Sequence, residues 1–113
     1  MSADHPITIT PTSDRISILW RGRTIVETSG AMELKEHVYP AVLYVPREDA
    51  DMSVFERTAR ETVCPYKGVA NYFSLGSDAN AVWTYEHPKA GVEAIAGFLA
   101  FYPDKVEILR KAG

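Results

Sequence analysis

The sequence is poor in cysteine and histidine and carries no excess of basic charge. Cys64 is the one cysteine among 113 residues, so an internal disulfide and a four-thiolate zinc site are both excluded. A net charge of −3 gives no basic surface for counterion release, and we therefore expect no nucleic-acid partner. No apolar run approaches the roughly 20 residues that span a bilayer and nothing resembles a signal peptide, so we expect a cytoplasmic protein with no membrane partner.

Metal ligands in a recognised pattern are also missing. The three histidines, His5, His37 and His87, share no ligand spacing, and we assign neither a metal nor another cofactor. The hydrophobic content of 46% suits a single domain over residues 1–113 that is built on one core. Residues 1–13 are polar and interrupted by proline, which predicts either a loose segment or an edge strand.

Alternation of apolar and polar residues predicts a first β-hairpin. RISILW, residues 15–20, places Ile16, Ile18 and Trp20 on one face. RGRTIVET follows as the predicted partner strand. The chain reverses at Arg21-Gly22, where glycine adopts a positive φ without steric cost.

Further strands are predicted along the rest of the chain. HVYPAVLYV, residues 37–45, is aromatic and β-branched, but Pro40 cannot donate to a ladder, which favours an edge strand or a bulge. A second hairpin is predicted for VANYFSL and AVWTYE, joined by GSDAN. FLAFY and VEILR are predicted to close the sheet.

Two short helices complete the prediction. Asp51 or Ser53 is a plausible N-cap and Glu56 follows Ser53 by three residues, so we expect a helix over residues 53–61. VEAIAG, residues 92–97, suits one or two further helical turns. The predicted class is therefore α+β but mainly β, with sheet rather than helix as the scaffold.

The segment TVCPYKG, residues 62–68, is the first candidate site. If the turn brings Cys64 and Lys67 together, the ammonium would favour the thiolate and make it a better nucleophile. Lys67 and backbone N–H groups of the turn could also bind a carboxylate or a phosphate. The structural alternatives are a small buried cysteine behind Pro65, a glycine at 68 that relieves an unusual backbone angle, and a solvated lysine.

Polar and aromatic residues outside this turn are the other candidates. Glu36 belongs to a polar cluster just before residues 37–45, and it could act as a general base or could simply face solvent. The second hairpin carries Tyr72, Trp83 and Tyr85, of which the last two share a face. These rings either pack across the strands or form a wall on which a flat ligand stacks.

Several motifs in order give the sequence a resemblance to a known family. ELKEHVYPAVLYVPREDA, then TVCPYKGVANYFSL, then VWTYEHPKAGVEAIAGFLAFYP resemble the domain of unknown function 427 family, over roughly residues 15–108. The matching residues are Glu36, Tyr44, Pro46, Glu48, Asp49, Thr62, Cys64, Pro65, Lys67, Gly68, Ala70, Tyr72, Trp83, Tyr85 and Pro88.

The resemblance implies a fold more than a reaction. It implies a β-tent-like domain, in which two antiparallel sheets lean together over a groove. Relatives of that architecture often bind zinc through paired Cys-x-x-Cys knuckles, which this chain with its single cysteine is expected to lack. The family is sometimes labelled nucleotidyl transferase-like, but no Gly-Ser followed by paired aspartates is present to hold two metal ions.

Three functions are compatible with these residues. The first is an enzyme-like domain that binds an anionic small molecule, with Glu36, Cys64 and Lys67 as candidate catalytic residues. Its groove would be lined by Tyr44, Lys67, Gly68, Tyr72, Trp83 and Tyr85. The second is a non-catalytic module that binds a ligand or a peptide in the same groove. The third is an interaction protein whose sheet edges pair into a homodimer.

Overall fold

The computed structural model describes residues 5–113, and its regular secondary structure is almost entirely β-strand. Its helical content is three single 3₁₀ turns, Arg47–Asp49, Met52–Val54 and Glu93–Ile95. The strands are β1 (Ile7–Pro11), β2 (Arg15–Trp20), β3 (Arg23–Thr28), β4 (Met32–Glu36), β5 (Val42–Tyr44), β6 (Phe55–Cys64), β7 (Gly68–Leu75), β8 (Asp78–Thr84), β9 (Leu99–Phe101) and β10 (Glu107–Lys111).

The strands form three antiparallel sheets. Their orders are β1-β4-β5, β10-β2-β3 and β6-β7-β8-β9. In the four-stranded sheet Phe73 pairs with Val82, and the next pair along, Tyr72 with Trp83, faces the other way. Phe73 and Val82 belong to a hydrophobic cluster shared with β2 and β3, whereas Tyr72 belongs to one shared with β4 and β5. The four-stranded sheet therefore contributes to a different core on each face.

The first predicted hairpin is confirmed. β2 runs over the expected residues 15–20, with Ile16 and Ile18 buried and Trp20 partly buried. Arg21 and Gly22 both have positive φ, 51° and 79°, as a type I′ turn requires. The second predicted hairpin is present as β7 and β8, joined at Gly76-Ser77.

The N-terminal segment contributes an edge strand. β1 pairs with β4 alone, with Ile9 opposite Leu34. Of the two alternatives for residues 1–13, the edge strand holds for residues 7–11, and residues 1–4 lie outside the described part of the chain.

The predicted strand over residues 37–45 is shorter than expected. Residues 37–41 form a turn and an irregular segment, in which His37 has a φ of 50°, and only Val42–Tyr44 is strand. The preceding residues, Met32–Glu36, form β4 instead. Their Glu and Lys content argues against strand, but pairing with β1 on one side and β5 on the other overrides this weak propensity.

The helix predicted over residues 53–61 is wrong. Asp51 does cap a turn, since its side chain accepts a hydrogen bond from the Ser53 N–H, but that turn ends at Val54. Glu56 lies inside β6 and pairs with Ser74. The sequence FERTARETVC forms a charged edge strand because seven of the ten residues of β6 pair with β7, on either side of an irregularity between Arg57 and Glu61.

The sheet count and the class also need correction. FLAFY and VEILR contribute β9 and β10 to two different sheets, since β9 pairs with β8 and β10 with β2. There are three antiparallel sheets rather than two, and single 3₁₀ turns do not justify the α+β class. Across residues 5–113, no helix has both the length and the apolar character that a bilayer span needs.

Candidate functional site

A cavity of about 270 Å³ lies between the β4–β5 pair and the Tyr72–Trp83 face of the four-stranded sheet. Strand alternation explains its walls, because Val42 and Tyr44 are two residues apart on β5 and therefore point to the same side. Trp83 follows the same rule on β8, directly opposite Tyr72. The lining residues are Leu34, Glu36, Val42, Tyr44, Lys67, Tyr72, Trp83, Tyr85 and Tyr102.

The turn between β6 and β7 brings Lys67 to this cavity. Gly68 has a φ of +114°, a conformation that residues with a Cβ rarely adopt. The turn is held against the segment after β8, since the Lys89 N–H donates to the Lys67 carbonyl oxygen at 3.0 Å. Lys67 consequently points inward and is only 8% exposed, which rules out a solvated surface lysine.

Glu36 shares its carboxylate between two partners. The Lys67 Nζ donates to Oε1, and the His5 Nε2 lies 2.5 Å from Oε2. Burial would raise the pKa of Glu36, but the hydrogen bonds and positive charge of Lys67, supported by His5, outweigh burial and lower that pKa below its usual value. The carboxylate is therefore ionised at neutral pH.

Lys67 has a second neighbour in the cavity. Its Nζ lies 5.9 Å from the centre of the Tyr85 ring, near the limit of a cation–π contact. Burial raises the pKa of Tyr85 well above its ordinary value, so its hydroxyl keeps its proton at neutral pH. The Tyr85 hydroxyl forms no side-chain hydrogen bond within residues 5–113 and is available as a donor.

Tyr44 is oriented by Trp83. The indole Nε1–H donates to the Tyr44 hydroxyl oxygen at 3.2 Å, and the two rings meet edge-on with centroids 6.3 Å apart. Since the oxygen already accepts this bond, the Tyr44 O–H can donate elsewhere. Burial raises the pKa of Tyr44 to about 12, although the bond from Trp83 opposes that rise.

Six of the eight residues singled out from the sequence line this cavity: Glu36, Tyr44, Lys67, Tyr72, Trp83 and Tyr85. Two do not. Cys64 is half-buried at the end of β6 and packs against the hydrophobic cluster that includes Tyr44, Tyr72 and Tyr85. Gly68 is the turn residue that positions Lys67, and it faces the backbone of residues 87–89. The structural alternative therefore describes Gly68, whereas Cys64 is half-buried rather than buried.

Four residues around this cavity are not predictable from local sequence patterns. His5 binds a carboxylate 31 positions away and stacks on Tyr66 with ring centroids 3.7 Å apart. Tyr102 packs against Trp83 at 4.7 Å from the end of a different strand. Leu34 and Val42, a directly paired couple, close one wall. The strand pairing alone brings these residues together, and local sequence patterns do not reveal pairing between distant strands.

The side chains around the cavity do not suggest a metal site. Within residues 5–113, no three or more His, Cys, Asp or Glu side chains are arranged to hold an ion. His5 and Glu36 are adjacent, but the third neighbour is the ammonium of Lys67, which repels a cation.

Comparison with protein families decides the classification. The family model described as a domain of unknown function, DUF427, matches residues 8–112, nearly the whole chain. The chain belongs to the DUF427 family. No curated protein matches it. For this DUF427 protein, the resemblance seen in the sequence is thereby confirmed, and its cavity has to be interpreted from its own chemistry, since the family description states no reaction.

Proposed function

We propose that this protein binds a small organic molecule that carries an anionic group, with that group facing Lys67. The observation that supports this most is an excess of hydrogen-bond donors in the cavity. Lys67 has three N–H donors and uses one on Glu36, and the hydroxyls of Tyr44 and Tyr85 keep their protons. Both carboxylate oxygens of Glu36 are already engaged, so a ligand is favoured if it supplies acceptors.

The burial of the ion pair supports a functional role. The Lys67 and Glu36 side chains are 10% and 16% exposed, so both lose hydration on folding. A buried pair seldom contributes more stability than apolar residues of the same volume would. Its position at a cavity wall is therefore better explained by ligand recognition than by stability.

The walls and the volume restrict the ligand. Trp83 and Tyr85 offer ring faces or edges to a flat group, and ligand sites are typically apolar with a few convergent polar groups. A volume of about 270 Å³ is just below the range of about 300–1,000 Å³ that is usual for ligand sites. One ring with a carboxylate is the expected size.

Catalysis is a second candidate function at the same place, favoured by the ionised carboxylate of Glu36 next to Lys67. Glu36 would accept a proton from the bound ligand, and Lys67 would stabilise the negative charge that develops. Cys64 does not line the cavity and has no part in this proposal. Turnover that is lost in Glu36→Gln while ligand binding persists would separate catalysis from binding alone.

The test compares three probes of one shape and different charge: benzoate, benzamide and benzylamine. Benzoate should raise the Tm of the protein. At 100 times its Kd the stabilisation is about 2.7 kcal/mol, a shift on the order of 10 °C for a domain of this size. Benzamide should shift the Tm less, and benzylamine should not shift it.

Two lysine variants complete the test. Lys67→Met should lose the response to benzoate, and Lys111→Met, which changes an exposed lysine on β10, should keep it. Because Lys67→Met leaves Glu36 with one partner fewer, the double variant Glu36→Gln/Lys67→Met serves as a charge-neutral check. A response to benzylamine instead of benzoate, or to benzoate in Lys67→Met, would contradict the proposal.

A further inference from the structure

A second cavity, of about 340 Å³, lies beside the first and differs from it in chemistry. It is formed where all three sheets meet, with Ile18 from β2, Phe101 from β9 and the segment that precedes β5. No ionisable group other than the Tyr39 phenol lines it. The lining residues are Ile18, Tyr39, Pro40, Ala41, Val42, Leu43, Trp83, Phe101, Pro103 and Ile108.

The two cavities share part of their walls. Val42 and Trp83 line both, whereas Glu36 and Lys67 line only the first. Val42 pairs with Leu34, and Leu34 lies two residues before Glu36 on β4, on the same side of the strand. The wall that the two cavities share is therefore close to the charged residues. An apolar surface therefore adjoins the cavity that contains the polar recognition groups.

We propose that the ligand is amphiphilic: its anionic head occupies the cavity at Lys67, and its apolar tail extends between Val42 and Trp83 into the second cavity. This inference rests on the proposed function and names its ligand class, an organic acid with an alkyl or aryl extension. The tail is the occupant of the apolar cavity because that cavity adjoins the head site at Val42 and Trp83 and lacks charged groups of its own.

Size supports the same assignment. The head cavity alone is small for a ligand site, and the two together fall well inside the usual range of about 300–1,000 Å³. Val42 and Trp83 contribute to both cavities, so side chains form part of the wall between them. Side chains can change rotamer to admit a chain.

The experiment measures Kd by calorimetry for benzoate and its 4-methyl, 4-ethyl, 4-butyl and 4-hexyl derivatives. We expect the affinity to rise about fourfold for each methylene that enters the apolar cavity, corresponding to about 0.8 kcal/mol per buried methylene. The gain should level off once the tail fills the cavity.

Variants of Ala41 localise the tail. Ala41 lines the second cavity only and is exposed, so Ala41→Trp fills that cavity from the outside and Ala41→Asp adds a charge to it. Both should leave the affinity for benzoate within twofold and remove most of the gain from 4-butyl and 4-hexyl chains. Ala79→Trp, an exposed alanine on β8 that lines neither cavity, is the matched control and should keep the full gain.

The outcomes separate this inference from the proposed function. Lys67-dependent binding of benzoate without any gain from longer chains overturns the two-cavity ligand and leaves the proposed function standing. A gain that survives both Ala41 variants also overturns it, because the tail would then lie elsewhere. If no benzoate in the series binds, the proposed function fails, and the inference fails with it.

Discussion

Lys67 is the residue on which most of the functional account depends. Its side chain points inward from the β6–β7 turn and donates to Glu36. Two of its N–H donors are left for a ligand. His5 holds the other carboxylate oxygen, so removing Lys67 leaves Glu36 partly compensated rather than isolated.

At the residue scale this arrangement predicts that the stability losses caused by Lys67→Met and by Glu36→Gln do not add in the double variant. Lys67→Met alone should lower the free energy of unfolding by about 1–3 kcal/mol, since a buried carboxylate loses a charged partner. Glu36→Gln/Lys67→Met should cost less than the sum of the two single changes, because no uncompensated charge remains. Urea unfolding of the four proteins measures the coupling. Simple additivity would show that the two side chains do not interact.

Three tyrosines with raised pKa values predict a delayed alkaline titration. The chain has six tyrosines, and burial raises the pKa of Tyr44 to about 12, with Tyr85 and Tyr102 also raised. A raised pKa of an acid favours the protonated form in the folded state, so its contribution to stability is present below pH 10 and is lost as pH rises towards 12.

Absorbance of tyrosinate during a pH titration checks this expectation. In the native protein, part of the tyrosinate absorbance should appear only near or above pH 12. In urea the same part should appear near pH 10. In Tyr44→Phe the late fraction should shrink by one tyrosine. Complete ionisation of the native protein by pH 11 would contradict the burial of these rings.

At the scale of elements, the turn between β6 and β7 positions the site. Gly68→Ala should cost on the order of 1–3 kcal/mol, because a φ of +114° is strained for any residue with a Cβ and the His87 carbonyl, 3.4 Å from that Cβ, restricts relaxation. It should also weaken benzoate binding, since Lys67 directly precedes the strained residue. Thermal unfolding and calorimetry of the same variant measure the two effects.

Gly22→Ala is the comparison for this turn. Gly22 has a φ of +79° in the β2–β3 turn, nothing lies within 4 Å of an added Cβ, and the residue is far along the chain from the cavity. It should cost less stability than Gly68→Ala and leave benzoate affinity unchanged. Equal losses of affinity in both variants would mean that the β6–β7 turn has no special relation to the site.

The individual elements also show how much of the fold could be predicted from the sequence. The β2–β3 hairpin was predictable because alternation and the Arg21-Gly22 turn act within a few residues. The helix over residues 53–61 was a wrong prediction because an N-cap signal at Asp51 precedes a strand whose charged residues do not alternate with apolar ones. β4 was missed because its stability comes from pairing with β1 and β5 rather than from its own composition.

The candidate site was predictable to a similar degree. The shared face of Trp83 and Tyr85 follows from alternation, and the inward direction of Lys67 was one of two open alternatives. His5 and Tyr102 could not be found, because they reach the cavity only through the pairing of strands that are distant in the sequence, β1 with β4 and β8 with β9.

For the whole molecule, the cavity depends on how the β4–β5 pair and the four-stranded sheet pack together, so its charges should be coupled to global stability. The pKa of Glu36 lies below its usual value of 4.5, so the unfolded state binds more protons than the folded state as pH falls below about 4.5. The stabilisation is present above that pH and is lost as pH falls through the lowered pKa.

In Glu36→Gln the free energy of unfolding should therefore depend less steeply on pH in the acid range. Between pH 6 and pH 3 the urea midpoint of the native protein should fall more steeply than that of the variant, and the two curves should converge at the acid end. Glu107→Gln, which changes an exposed carboxylate on β10, should follow the native protein. Parallel curves for the native protein and Glu36→Gln would contradict the ion pair.

The most direct test of the ligand account is a titration of the protein with benzoate, followed by the two indole N–H signals in a ¹⁵N–¹H correlation spectrum. Trp83 lines the cavity and donates to Tyr44, whereas Trp20 lies against Gly76 and donates to Asp78, so one protein contains both probe and control. We predict that the Trp83 signal moves saturably and that the Trp20 signal does not. A Trp83 signal that stays in place at saturating benzoate, or a Trp20 signal that moves with it, would contradict binding in this cavity.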